Sequence, residues 1–117
     1  MTKQDFETYI QNAYGYLAEH PFAKSPDVSV YRHRENQKWF AILMQVNAKK
    51  LTPPKNGTVW IVNLKIAEEI RDSFLSQNGI FPAYHMNKRH WVSVLLDGSV
   101  DHDTLTFLLD VSYDLTK

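Results

Sequence analysis

Hydrophobic and polar positions along the chain predict three helices separated by a run of strands. The first helix starts behind a capping-box-like pair, Thr2 and Asp5. It is predicted to end at His20-Pro21, because a proline disfavours helical geometry in the residue before it. Its apolar positions recur at helical spacing and are Phe6, Tyr9, Ile10, Ala13, Tyr14 and Leu17.

The two later helices follow from the same kind of pattern. The second has the apolar stripe Ile66, Ala67, Ile70 and Phe74. Asn78-Gly79 is expected to stop it in a left-handed conformation. Ser99 or Asp101 is expected to cap the third helix. The inner face of that third helix consists of Leu105, Leu108, Leu109 and Ser112.

Runs of β-branched and aromatic residues predict the strands, which cover residues 28–31, 38–46, 58–64 and 90–96. Residues 32–37 form a polar turn, residues 47–57, with Pro53-Pro54 and Asn56-Gly57, form a loop, and residues 80–89 are irregular. Together these elements indicate one α+β domain over residues 1–117.

Composition then narrows the class of protein. The chain has 117 residues and no cysteine, which excludes disulfides, thiol nucleophiles and iron–sulfur clusters. Because 44% of the residues are hydrophobic, a packed core is expected rather than intrinsic disorder. No apolar run approaches the roughly 20 residues of a membrane span, so we expect a cytoplasmic protein with no membrane contact.

The charge is balanced overall but unevenly distributed. Thirteen basic and thirteen acidic groups cancel. Residues 1–23 carry a net charge of −2, residues 24–90 carry +6 and residues 91–117 carry −4. A basic face is therefore compatible with a neutral chain, although the acidic ends weaken long-range attraction to a polyanion.

One candidate binding segment is 82–91. Its polar and aromatic side chains are Tyr84, His85, Asn87, Lys88, Arg89, His90 and Trp91. Cations of this kind contact phosphates, amides reach base edges and aromatic rings stack on unpaired bases. The structural alternative is that the aromatic rings pack on the core while His85 and Asn87 satisfy backbone groups. We favour that alternative for His85 and Asn87.

A second basic cluster lies at the turn between the first two strands and comprises Arg32, His33, Arg34 and Lys38. Its simpler interpretation is a solvated hairpin tip whose charges protect a sheet edge. If this tip and Lys88-Arg89 lie on one face, the two loops form a surface that can straddle a nucleic-acid backbone. Lys65 joins this candidate set. A third basic loop, with Lys49, Lys50 and Lys55, either extends the surface or lies opposite to it.

Metal binding and catalysis find little support in the sequence. His85 and His90 have a metal-like spacing, but no cysteine or nearby carboxylate completes a site. Asp101 to Asp103 is better explained as a helix cap. There is no G-x-S-x-G motif and no phosphate loop, so we expect no catalytic residue, metal or cofactor. An acid–base site at Tyr84 and His85 requires that both side chains converge with a carboxylate in a cleft.

Three segments resemble the MmcQ/YjbR family of small bacterial proteins: YRH and NQKWFA within 31–41, VNLK at 62–65, and GIFPAYHMNKRHW at 79–91. The closing LLDGSV at 95–100 and SY at 112–113 also fit. The resemblance implies a frataxin-like (CyaY-like) fold, in which helices cover one face of an antiparallel sheet. Members are commonly labelled DNA-binding. The acidic ridge of iron-binding frataxins has no equivalent here, so iron binding is not implied.

The fold expected is therefore α+β, with about five or six antiparallel strands and with an N-terminal, a central and a C-terminal helix on one face. The function expected is a non-enzymatic protein, monomeric or weakly dimeric, that binds DNA phosphates through Arg32, Arg34, Lys88 and Arg89. The alternative is a small-ligand or protein-interaction module. Its pocket is formed by Phe81, Tyr84, His85 and Trp91.

Overall fold

The computed structural model describes residues 1–51 and 54–117. Its elements are α1 (Lys3–Tyr14), β1 (Ser29–Arg32), β2 (Trp39–Asn47), a 3₁₀ turn (Ala48–Lys50), β3 (Thr58–Lys65), α2 (Glu68–Leu75), β4 (Ile80–Pro82), β5 (Trp91–Leu95) and α3 (His102–Thr116). No helix among the described residues is long and apolar enough to cross a membrane. The α+β class and the antiparallel sheet are confirmed.

The five strands form one sheet in the order β1-β2-β3-β5-β4, and every neighbouring pair is antiparallel. Both edges are short. The outer side of β1 is occupied by Glu19, whose backbone exchanges two hydrogen bonds with Val30 at 2.8 and 2.9 Å. On the opposite edge, β4 has three residues and ends at Pro82, which has no amide hydrogen to donate.

All three helices cover one face of the sheet. Buried side chains of α1 and α3 form one hydrophobic cluster with the facing strand residues, and the partly buried Ile70, Phe74 and Leu75 of α2 pack against it. The members that α1 and α3 contribute are Phe6, Ile10, Leu105, Leu108 and Leu109. Side chains along a strand alternate between the two faces of the sheet. The strand residues that do not face the helices therefore point to the opposite face, where they form a second cluster. No residue of α1, α2 or α3 belongs to that second cluster; it includes Ala48 of the 3₁₀ turn, and loop residues such as Val28, Tyr84 and Met86 pack against it.

Several predicted features are confirmed. Thr2 and Asp5 form a reciprocal capping box. Asp101 caps α3 through a 2.7 Å hydrogen bond from the Thr104 amide, and the predicted inner face of α3 is buried. The 47–57 connection contains the short 3₁₀ turn. Thr52 and Pro53, which belong to the predicted loop, lie outside the described residues.

Two helix ends predicted from the sequence are wrong, and one strand was not predicted. α1 ends at Tyr14, because Gly15 adopts a left-handed φ of 76° and caps the helix. The apolar spacing continues to Leu17, but that side chain is 68% exposed. α2 ends at Leu75 rather than at Asn78-Gly79, and Gly79, with φ 90°, instead turns the chain into β4. β4 itself falls in the segment that was predicted to be irregular.

Candidate functional site

The strand register brings the two predicted basic loops to the same end of the sheet. Arg32 pairs with Trp39, and Lys65 pairs with Trp91 across β3 and β5. The β1–β2 hairpin and the 87–90 segment therefore leave the same end of the sheet, two to three strand spacings apart, or about 10–15 Å. We call this the sheet-end surface; its cations are Arg32, Arg34, Lys38, Lys65, Lys88 and Arg89. The third basic loop follows the other end of β2 and so lies opposite.

Two arginines of the sheet-end surface already have carboxylate partners. Arg32 donates to both oxygens of Glu19 at 2.9 to 3.1 Å. Arg89 Nε lies 3.4 Å from a Glu68 carboxylate oxygen. All four side chains remain at least 41% exposed, and exposed ion pairs of this kind contribute only about 0–1 kcal/mol. A phosphate can therefore compete for either guanidinium at little cost.

The 83–90 segment is tied down by its own polar groups. Lys88 Nζ donates to the Ala83 carbonyl at 2.9 Å, and Arg71 donates to the Lys88 carbonyl at 3.1 Å. Asn87 Oδ1 accepts the amides of Arg89 and His90 at 2.8 and 3.3 Å. Asn87 therefore shapes the turn, as the structural alternative expected for it.

The side chains of the remaining predicted binding residues form fewer contacts. Lys38 is exposed and Lys65 is half-buried, and neither forms an ion pair within residues 1–51 and 54–117. His90 is exposed, and its carbonyl accepts the Ile66 amide at 2.8 Å, which joins β5 to the chain before α2. Lys38 and Lys65 are thus the most available charges of the sheet-end surface.

His33 is buried rather than displayed at the surface, since only 4% of it is exposed. Its Nε2 lies 2.8 Å from Thr116 Oγ1. The Thr116 hydroxyl donates its hydrogen to the Ser112 carbonyl at 2.8 Å, so it must accept from His33 Nε2–H. Burial lowers the pKa of His33 and favours the neutral ring. We therefore exclude this predicted residue from the phosphate contacts.

Arg34 lies in a cleft of about 410 Å³ beside the hairpin. Tyr16, Leu17 and Glu19 form one wall, and Arg32, Arg34 and Gln37 form the other. We call it the Arg34 cleft. The Arg34 guanidinium lies 4.2 Å from the Tyr16 ring centroid and donates to the Gly15 carbonyl.

The predicted pocket around Tyr84 has a different form from the one expected. Phe81 is only 2% exposed, and Tyr84 and Trp91 pack half-buried against the second cluster. His85, with a left-handed φ of 58°, borders an apolar groove of about 510 Å³. The other residues that line this groove are Pro21, Phe22, Ala23, Lys24, Ser25, Val28 and Met44. No carboxylate is among the described lining residues, so the convergence required of an acid–base site is not met there.

Sequence reasoning missed a buried polar network on this same face. Ser93 Oγ accepts the Tyr84 amide at 2.9 Å and donates to Asn63 Oδ1. Asn63 Nδ2 donates to the Tyr84 carbonyl at 2.9 Å. Asn63 and Ser93 are fully buried and face each other across β3 and β5. The sequence signal that could have revealed this network is a single polar residue, Asn63 or Ser93, inside each of two otherwise apolar strands. No cluster of three metal-ligating side chains occurs within the described ranges.

Comparisons with known proteins agree with the resemblance. The sequence model of the YjbR family matches residues 4–115. The chain is 33% identical over 117 residues to the uncharacterized protein YyaQ of Bacillus subtilis (strain 168), covering 100% of this chain and 99% of that protein. A crystal structure of a protein from Pseudomonas syringae superposes with a TM-score of 0.95 at 39% identity and 100% coverage of both chains. Deinococcus radiodurans protein DR2400, with domain DUF419, superposes with a TM-score of 0.70 at 27% identity, covering 97% of this chain and 77% of that one.

Proposed function

We propose that this chain, which belongs to the YjbR family, is a non-enzymatic cytoplasmic protein that binds nucleic acid through its sheet-end surface. The observation that carries the proposal is the strand register, which places two basic loops at one end of the sheet. Their separation of about 10–15 Å spans the roughly 12 Å width of the B-DNA major groove. Each loop can then contact phosphates on one side of that groove.

The proposed contacts are made by exposed or weakly paired cations. They are Arg32, Lys38, Lys65 and Arg89. Lys38 and Lys65 need no rearrangement, whereas Arg32 and Arg89 exchange a carboxylate partner for a phosphate. Glu35, in the β1–β2 hairpin, and Glu69, in the first turn of α2, are also exposed and reduce the attraction at long range, so binding depends on close contact.

The test is binding to a short duplex with hydroxyl ends, measured by fluorescence anisotropy across a salt series. Four phosphate contacts predict a log–log salt slope of about −3.6. Lys38→Gln and Lys65→Gln should each reduce the magnitude of the slope by about 0.9. Lys50→Gln is the matched control, because it removes an exposed lysine at the opposite end of the sheet. A flat salt response, or an equal loss in the control variant, refutes the proposal.

A second candidate function is favoured by one observation, the apolar groove beside His85. An apolar small ligand suits it, because concave sites of this size are lined mainly by hydrophobic residues. Phe22, at one wall, packs edge-on against Trp39 at 5.9 Å between ring centroids. Anilinonaphthalene sulfonate should therefore bind saturably and quench tryptophan fluorescence, and Phe22→Ser should weaken both effects. Unchanged binding in that variant rules out the groove.

A further inference from the structure

The Arg34 guanidinium is oriented before any ligand arrives. It is stacked on Tyr16, and one of its N–H groups is fixed by the Gly15 carbonyl. Its other N–H groups make no hydrogen bond to a residue within 1–51 or 54–117. A stacked guanidinium with an open fork of donors matches the two oxygens of a phosphate or carboxylate. The side-chain entropy that binding normally costs is therefore partly lost already in the free protein.

The charges in the Arg34 cleft favour an anion. Arg32 and Glu19 line the cleft and neutralise each other through their two-oxygen contact. Arg34 then leaves the cleft with one uncompensated positive charge among its described lining residues. Glu35 is not among the residues that line this cleft; it lines a neighbouring cavity, together with Tyr16, Arg34 and Lys117. An anion that enters the Arg34 cleft thus meets a cation and not a bare carboxylate.

The charge at the end of a strand suits the Arg34 cleft better than the charge in its interior. A phosphodiester carries one negative charge and has a nucleotide on both sides, whereas a terminal phosphate has a nucleotide on one side only. A phosphate monoester also carries about −1.5 to −2 charges at pH 7. Leu17, 68% exposed at the wall of the cleft, offers apolar surface to the sugar or base that carries the phosphate.

We infer that the Arg34 cleft binds a terminal phosphate monoester, either at the 5′ end of a nucleic-acid strand or on a free nucleotide. Only the first of these sources rests on the function proposed above. Arg34 holds two phosphate oxygens, and Leu17 and Tyr16 contact the attached nucleoside. When this cleft is occupied, Arg32 stays paired with Glu19, and Lys38, Lys65 and Arg89 contact the strand that leads away from this end.

The experiment titrates the full chain with AMP and with adenosine, followed by amide chemical shifts and by calorimetry. AMP should bind at least about tenfold more tightly than adenosine, because a charge-assisted bidentate contact is lost without the phosphate. The largest shifts should fall on the amides of Gly15, Arg34 and Gln37. A second arm compares one oligonucleotide with a 5′-phosphate and with a 5′-hydroxyl, which separates the two sources.

The variants assign the effect to the guanidinium. Arg34→Gln should abolish the preference for AMP, Arg34→Lys should keep part of it, and Lys50→Gln should leave it unchanged. The amide spectrum shows whether each variant is folded. If Arg34→Gln unfolds, the comparison of AMP with adenosine in the unmodified protein still tests whether the cleft prefers a phosphate. Equal binding of AMP and adenosine, or an undiminished preference in a folded Arg34→Gln, overturns the inference. Duplexes with hydroxyl ends test the sheet-end surface independently of this cleft.

Discussion

Replacing Ser93 with alanine removes the hydroxyl through which the 83–90 segment is attached to the sheet. In the native protein this hydroxyl accepts the Tyr84 amide and donates to Asn63. The substitution leaves both of those buried groups without their partner, while the small methyl group introduces no clash. The 83–90 segment includes Lys88 and Arg89, so its attachment also positions part of the sheet-end surface.

The magnitude follows from the two groups that lose a partner. A buried donor or acceptor left unpaired costs about 1–3 kcal/mol, so Ser93→Ala should lower the free energy of unfolding by about 2–6 kcal/mol. That is a large fraction of the total of about 5–15 kcal/mol typical of a single domain. In the double variant with Asn63→Ala, the Asn63 oxygen is gone as well. The combined loss should therefore fall short of the sum of the single losses by about 1 kcal/mol.

Urea unfolding followed by tryptophan fluorescence measures these free energies, and an unchanged m-value checks that the variants remain two-state. Ser73→Ala is the control, because the exposed Ser73 hydroxyl donates to the Ile70 carbonyl and its loss should cost less than about 0.5 kcal/mol. Hydrogen exchange at the Tyr84 amide should accelerate in Ser93→Ala. Equal losses for Ser93→Ala and Ser73→Ala, or strict additivity with Asn63→Ala, refute this account.

Three further predictions concern His33 and backbone conformation. Burial lowers the pKa of His33 in the folded protein below its usual value of 6.5. The free energy of unfolding should therefore be highest above pH 6.5 and should decrease as the pH falls below it. Urea unfolding at a series of pH values measures this decrease, and His33→Gln should make it smaller. Gly79→Ala places a Cβ 2.8 Å from Val100 Cγ2 at a φ of 90°. It should cost several times the roughly 1–2 kcal/mol expected for Gly57→Ala, where φ is 86° and no atom of a described residue lies within 4 Å; thermal melts compare the two. Gln37→Gly removes the strain of a φ of 63° and should be neutral or stabilising by up to about 1 kcal/mol, and a clear loss in the same melts contradicts this.

The sequence predicted those parts of the fold that depend on local pattern. The capping box at Thr2, the cap at Asp101 and the long strands are encoded in a few neighbouring residues. The end of α1 was misplaced because apolar spacing continued to Leu17, whereas the stop is a single left-handed glycine. β4 was missed because three residues are too few to show an alternation. It is a strand only because β5 lies beside it.

The site was harder to predict because its contacts are distant in sequence. Arg32 and Glu19 are 13 residues apart and meet only because residue 19 pairs with the outer side of β1. The burial of His33 depends on Thr116, 83 residues further along the chain. The identities of the basic residues were visible in the sequence. Which of them were already paired or buried required the tertiary structure.

The two sheet edges have a consequence for self-association. A sheet grows between molecules when an edge strand offers unpaired amides and carbonyls to a second copy. On the outer side of β1, the amide and carbonyl of Val30 are already bonded to Glu19. The opposite edge is three residues long and ends in a proline. Neither edge is therefore a good template for intermolecular strand pairing, so the folded protein should not form β-linked oligomers even at high concentration.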